Sequence, residues 1–272
     1  MNRADTEALA RAREVLENPG LAIRFTDLVG RPVERAVAAL PAAASRQIHR
    51  ATGAALDRAL SVALRTMDAD PDPPANWLHR LAAGAAGAGG GALGLAGLVV
   101  ELPVSTTLML RAIADHARAQ GEDLSQAGAR LECLAVFAYG SPRASDDAAE
   151  AGYFAVRAAL ARSVAEAAEF LGAKGVARTA ADRSAPALAR LLSSVARRFG
   201  VAVSEKAAAQ LVPLIGAAGG AAVNLAFMNH YQRTAWGHFT VRRLERLHGE
   251  AAVRAAWGPP GTNPRRRVGS RR

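Results

Sequence analysis

Apolar residues recur every three or four positions through most of the chain, and breaks at Pro, Gly and Asn divide that pattern into helices rather than strands. Residues 5–17 are rich in Ala, Glu, Arg and Leu and stop at Asn18-Pro19-Gly20, which predicts a short peripheral helix in a segment 1–19. Residues 32–40 predict a second helix. Residues 42–67 predict a longer one, with Ile48, Ala55, Leu56, Ala59, Leu60, Ala63 and Leu64 at helical spacing. The acidic, proline-rich stretch Asp68-Ala69-Asp70-Pro71-Asp72-Pro73-Pro74 then reads as a linker.

Two long runs carry no charge. Residues 81–100 hold seven glycines, at 84, 87, 89, 90, 91, 94 and 97, and are followed by Glu101-Leu102-Pro103, where the proline predicts a break in the helix. Residues 207–229 hold Pro213, Gly216, Gly219 and Gly220. Both runs are long enough to reach across a bilayer, although Gly and Ala contribute little transfer free energy. The spacing of Gly87 with Gly91, Gly90 with Gly94 and Gly216 with Gly220 puts small residues on one helix face. That suits a membrane-inserted hairpin and a tightly packed soluble core alike.

Further helices are predicted over 111–120, 131–139, 153–171, 188–199 ending at Gly200, and 230–248 ending at Gly249. The fold class this implies is all-α. A single multi-helix domain over 20–255 would carry the two glycine-rich apolar segments at its centre, followed by a disordered basic tail over 256–272.

Composition sharpens that picture. Half of the 272 residues are apolar but only 5% are aromatic, so the core must be built mainly from Ala, Leu and Val at close approach. Thirty-four Lys and Arg against 24 Asp and Glu give a formal charge of +10, which points to an anionic partner, a lipid surface ahead of a nucleic acid. No nucleic-acid-binding module is recognisable. Part of the excess is the terminal cluster Arg265, Arg266, Arg267, Arg271 and Arg272. One cysteine, Cys133, excludes an intramolecular disulfide framework and multi-cysteine zinc patterns. The first residues lack the arrangement of a signal peptide, so the expected location is the cytoplasm or the cytoplasmic face of a membrane.

The candidate chemistry is sparse. Gly89-Gly90-Gly91-Ala92-Leu93-Gly94 matches a dinucleotide fingerprint in letters but lacks the preceding strand, and no cofactor is expected. Glu245-Arg246-Leu247-His248 has the spacing of helical di-iron ligands, but only one copy exists, and no metal is expected. Glu101, Asp115, His230 and His238 are the candidates for a catalytic role. For Glu101 the alternative is a solvent-exposed turn cap beside Pro103. Asn224, Tyr231, His238 and Glu245 recur every seven residues and predict a buried hydrogen-bonded seam. Arg111 and Asp115 predict a local helix pair. Arg233, Arg242, Arg243 and Arg246 with Trp236 and Phe239 predict a basic, aromatic-edged face suited to anionic headgroups.

Six segments together carry a resemblance. They are Glu101-Leu102-Pro103-Val104-Ser105-Thr106-Thr107 with Arg111-Ala112-Ile113-Ala114-Asp115, then Gly121-Glu122-Asp123-Leu124, then Leu131-Glu132-Cys133-Leu134-Ala135-Val136-Phe137. Val212-Pro213-Leu214-Ile215-Gly216 follows, continuing through Gly220 to Asn224, and Gly237-His238-Phe239-Thr240-Val241-Arg242-Arg243-Leu244-Glu245-Arg246 is the last. The combination resembles the EcsC family of bacterial proteins over roughly residues 20 to 255. That resemblance implies a membrane-linked accessory role beside an ABC transporter and carries over no catalytic constellation. The expectation is a non-enzymatic membrane-associated accessory protein whose partner is an anionic membrane surface or a membrane protein. A peptidase-like hydrolase is the first alternative, and a soluble helical scaffold that binds another protein is the second.

Overall fold

The computed structural model describes residues 1–17, 21, 25–26, 33–67, 94–140, 152–174, 185–210 and 216–258. Among these the regular structure is entirely helical, in nine helices with no strand. In chain order they are α1 (Arg3–Glu17), α2 (Val33–Ala38), α3 (Ala42–Thr66), α4 (Gly94–Ala119), α5 (Ala127–Tyr139), α6 (Tyr153–Lys174), α7 (Pro186–Gln210), α8 (Gly216–His248) and α9 (Glu250–Trp257). The glycine fingerprint up to Leu93, the acidic linker and the arginine tail from residue 259 lie outside the described residues, whereas Ala256 and Trp257, expected in the disordered tail, belong to α9, with Trp257 buried.

The helix that closes the centre is α5. Every residue from Ala129 to Tyr139 is buried, because α3, α4, α6, α7 and α8 all pack around it. Its Arg130 holds two chain segments in register, donating from Nη1 to the Leu64 carbonyl at 3.0 Å and from Nε to the Leu124 carbonyl at 2.7 Å. The scarce aromatics are concentrated beside it: the Phe137 ring lies 4.8 Å from Phe199 and 5.2 Å from Tyr231, which is itself 5.2 Å from Phe227. Each such pair adds about 1 kcal/mol to its area burial. The second glycine-rich run supplies the first half of α8, the longest helix, which touches α1, α4, α5, α7 and α9.

Four sequence expectations are corrected by packing. Pro103 lies inside α4 without ending it. A proline there removes the hydrogen bond to the carbonyl four residues back, that of Val99, a residue 43% exposed. Gly200 does not end α7, which runs on through Val201–Val203 to Gln210. The glycine is buried, and burial on the following turn outweighs its low helix propensity. Finally, α1 is not peripheral: Leu9, Ala12 and Leu16 are buried against α8, and a Cβ on Gly237 would lie 3.1 Å from Leu16. Asn2 caps it, accepting from the Asp5 amide at 2.7 Å.

The fourth correction concerns Glu101. Its side chain is only 3% exposed and faces a fully buried lysine, so it is not a solvent-exposed cap.

Candidate functional site: two buried polar centres

The first centre joins α4 to α7. Lys206 Nζ donates to both carboxylate oxygens of Glu101 at 2.8 Å and stands 5.1 Å from the Phe227 ring centre. Burial pulls the Lys206 ammonium below its ordinary range, and the facing Glu101 carboxylate opposes that pull. The sequence drew attention to Glu101 but not to its partner. Once α7 is carried through Gly200, Lys206 falls three and seven residues after Val203 and Phe199, both fully buried, and so shares their face.

The second centre is larger and draws on three segments far apart in the chain. From α8, Arg242 donates through Nε and Nη2 to both oxygens of Glu122 at 2.9 Å, and Arg246 bonds the same carboxylate. Arg242 Nη1 also approaches Glu132 of α5 at 3.5 Å. The Tyr139 hydroxyl donates to Glu132 Oε2 at 3.2 Å, and His238 Nε2 lies 3.3 Å from the same oxygen. On the other side of the imidazole, the Tyr153 hydroxyl of α6 is 2.7 Å from Nδ1. Arg157, one turn along α6, reaches Glu245 at 2.8 Å.

The electrostatics follow from this arrangement. Burial by itself would raise the Glu132 carboxyl, but His238, Arg242 and Arg157 outweigh it and bring it down to about 2. Burial likewise acts against Glu122, where Arg242 and Arg246 prevail and hold the carboxyl below its usual range. Complete burial depresses His238, with Glu132 opposing, and pushes Tyr139 and Tyr153 upward. An ionised Glu132 only accepts, which favours the tautomer with the proton on Nε2 and Nδ1 accepting from Tyr153, although Nε2 at 3.3 Å from the carboxylate makes no well-formed hydrogen bond. Three carboxylates face three guanidinium groups. The charges are balanced, and the groups clamp the α4–α5 turn, α5, α6 and α8 together.

The four catalytic candidates are not brought into one site. Glu101 belongs to the first centre and His238 to the second. Asp115 contacts Arg118 at 3.3 Å, three residues on, while Arg111 is exposed. His230 bonds the Gly140 carbonyl. His230 and His238 are separated by about 12 Å of helix. The seven-residue seam is buried as its spacing predicts, with Asn224, Tyr231, His238 and Glu245 all largely removed from solvent.

The basic face expected on the last long helix is mostly committed to partners, although Arg233 stays exposed. Arg242 and Arg246 are committed to Glu122, Arg243 bonds Gln120 at 2.8 Å, and Phe239 is fully buried. Glu245 and His248 hold Arg157 and Asp5 rather than converging. Among the described residues no group of three or more His, Cys, Asp or Glu side chains is placed to hold a metal ion. Burial pushes the Cys133 thiol well up, which leaves it inert.

Glu122, Glu132, His238, Arg242 and Glu245 thus come from three separated motifs and meet in one network. The sequence profile of the EcsC protein family matches residues 5–244, a stretch that contains all of them but Glu245, the residue just beyond it. The chain belongs to the EcsC protein family. No curated protein and no solved structure matches it. Within this EcsC chain the match begins inside α1, in keeping with that helix's place in the core. The residues the sequence left out of its candidate set are Glu132, Tyr139, Tyr153, Arg157 and Lys206. Each is brought to its centre by a contact between distant helices, which no local spacing announces.

Proposed function

We propose that this EcsC-family protein is a non-enzymatic bacterial accessory protein that works at the cytoplasmic face of a membrane, beside a membrane partner such as a transporter. The observation that supports the reading best is the outer face of α4. Residues 97–119 are, among the described residues, the one helical stretch long and apolar enough to cross a membrane by length and composition, and 61% of its 18-residue apolar window is buried in the bundle. On the side that is not buried, Val100 is 73% exposed and Val104 49%, with Val99 beside them. At 100° per residue Val100, Val104 and the exposed Arg111 fall within an arc of about 40°, over a rise of about 16 Å. An apolar stripe ended by an arginine suits a helix lying against lipid with the cation at headgroup level.

The helix stays a core helix in this reading. Its inner face carries Leu98, Leu102 and the Glu101–Lys206 pair, all buried by the protein. The hydrolase alternative is supported less well, because its candidate groups stand apart and the His238 Nδ1 is occupied by Tyr153. The test is fractionation of the untagged protein from its own cells, with high-salt and alkaline-carbonate washes of the membrane pellet. Sedimentation with membranes and release by a wash is the expected result. Protein found wholly in the soluble fraction would overturn the reading and leave the scaffold alternative.

A further inference from the structure

We infer that the face by which this protein reads an anionic headgroup layer is α3, through Arg46, Arg50, Arg58 and Arg65. The inference rests on the membrane reading above and supplies its electrostatic half. All four side chains are exposed, and at 100° per residue they fall within an arc of about 120° along about 28 Å of one helix. Among the described residues none of the four has an ion pair or hydrogen bond, whereas the arginines of α8 that face the α4–α5 turn are spent on Glu122, Gln120 and Asp5. The one acid on α3 is Asp57, half-buried between Arg50 and Arg58, so the face keeps a clear positive excess.

Two relationships favour lipid as the occupant over a nucleic acid. The first is the neighbour: α3 packs along α4, and Arg118 near the end of α4 donates at 2.8 Å to the carbonyl of Met67, just past the end of α3. The C-terminal ends of the two helices are therefore level, and the arginine face and the valine stripe belong to adjoining elements. The second is the makeup of the face. It offers point charges spread over about 28 Å with no Phe, Tyr or Trp on α3 to stack a base, which suits a diffuse anionic layer.

The experiment is vesicle co-sedimentation of the full chain at low and moderate salt. The vesicles are phosphatidylcholine alone or phosphatidylcholine with phosphatidylglycerol. Three proteins are compared: wild type, a quadruple variant with Arg46→Gln, Arg50→Gln, Arg58→Gln and Arg65→Gln, and a control with Arg3→Gln, Arg162→Gln, Arg190→Gln and Arg197→Gln. The control removes the same charge from exposed arginines on α1, α6 and α7. An arginine held at an anionic surface is worth about a five-fold change in binding, so the α3 variant, which loses four, should bind the anionic vesicles about 600-fold more weakly. The control should stay near wild type.

Equal loss in both variants would overturn the inference, because net charge and not position would then govern binding. Undiminished binding by the α3 variant would overturn it too while leaving the membrane reading intact. No binding of wild type to either vesicle would mean that the membrane reading itself fails. Binding of wild type to a duplex RNA fragment but not to vesicles, abolished in the α3 variant, would reassign the face to nucleic acid and overturn the inference.

Discussion

The Tyr153 hydroxyl and the His238 imidazole meet at 2.7 Å across the α6–α8 contact, and with Glu132 near the other ring nitrogen this favours one tautomer over the other. Glu132 on the far side is an acceptor, so Nε2 is the favoured place for the proton and Nδ1 accepts from the tyrosine. Tyr153→Phe removes a donor and strands Nδ1 in a fully buried site. The expected cost is about 1–3 kcal/mol, read from urea unfolding midpoints at unchanged slope. Nitrogen NMR shifts of the wild-type ring should show the Nε2-protonated tautomer, and a ring protonated on Nδ1 would contradict the assignment.

Acid should weaken the fold in two stages. The His238 pKa is depressed below 6.5 by burial, so the unfolded chain takes up a proton that the folded one resists, and stability begins to fall as pH drops below that value. The Glu132 carboxyl sits at about 2 against 4.5 when free, so its contribution is present above 4.5 and lost as pH falls toward 2. Unfolding midpoints followed against pH test this. His238→Gln should flatten the upper stage and also shrink the lower one, because His238 is first among the groups that hold the Glu132 carboxyl down.

The buried pair of Glu101 and Lys206 predicts strong non-additivity. Lys206→Met leaves a carboxylate in the core without its cation and should cost about 3–5 kcal/mol. Adding Glu101→Gln removes the stranded charge, so the double variant should be more stable than Lys206→Met alone. Additive losses in a double-mutant cycle would show that the two groups do not interact in solution as they do at 2.8 Å here.

Gly140, the residue after α5, has no room for a side chain. A Cβ there would lie 2.9 Å from both His230 Nε2 and Thr234 Oγ1 and 3.0 Å from the Tyr231 ring, all on α8. Gly140→Ala should therefore destabilise by about 1–3 kcal/mol through overpacking. Its φ is −81°, so backbone strain plays no part. A neutral result in thermal unfolding would mean that α5 and α8 are packed more loosely at this level.

The helical class, the seam on α8 and the stop at Gly249 were legible because they depend on local spacing and on one glycine, whose φ of +85° favours that residue type. What the sequence missed shares a different cause. Pro103 and Gly200 read as breaks because local propensity was weighed without the packing that carries α4 and α7 through them. The arginines of α8 looked like an open basic face because Glu122 and Gln120 lie more than a hundred residues away in the chain. The same blindness hid α3, whose arginines are conspicuous only once the others are seen to be paired.

The most direct test of the membrane account places a reporter on the outer face of α4. Cys133 is buried and inert, so an environment-sensitive fluorophore attached through Val104→Cys reports that position alone. With anionic vesicles the account predicts a blue-shifted emission that is quenched by nitroxides on the lipid acyl chains. Emission unchanged by vesicles that demonstrably bind the protein would contradict it.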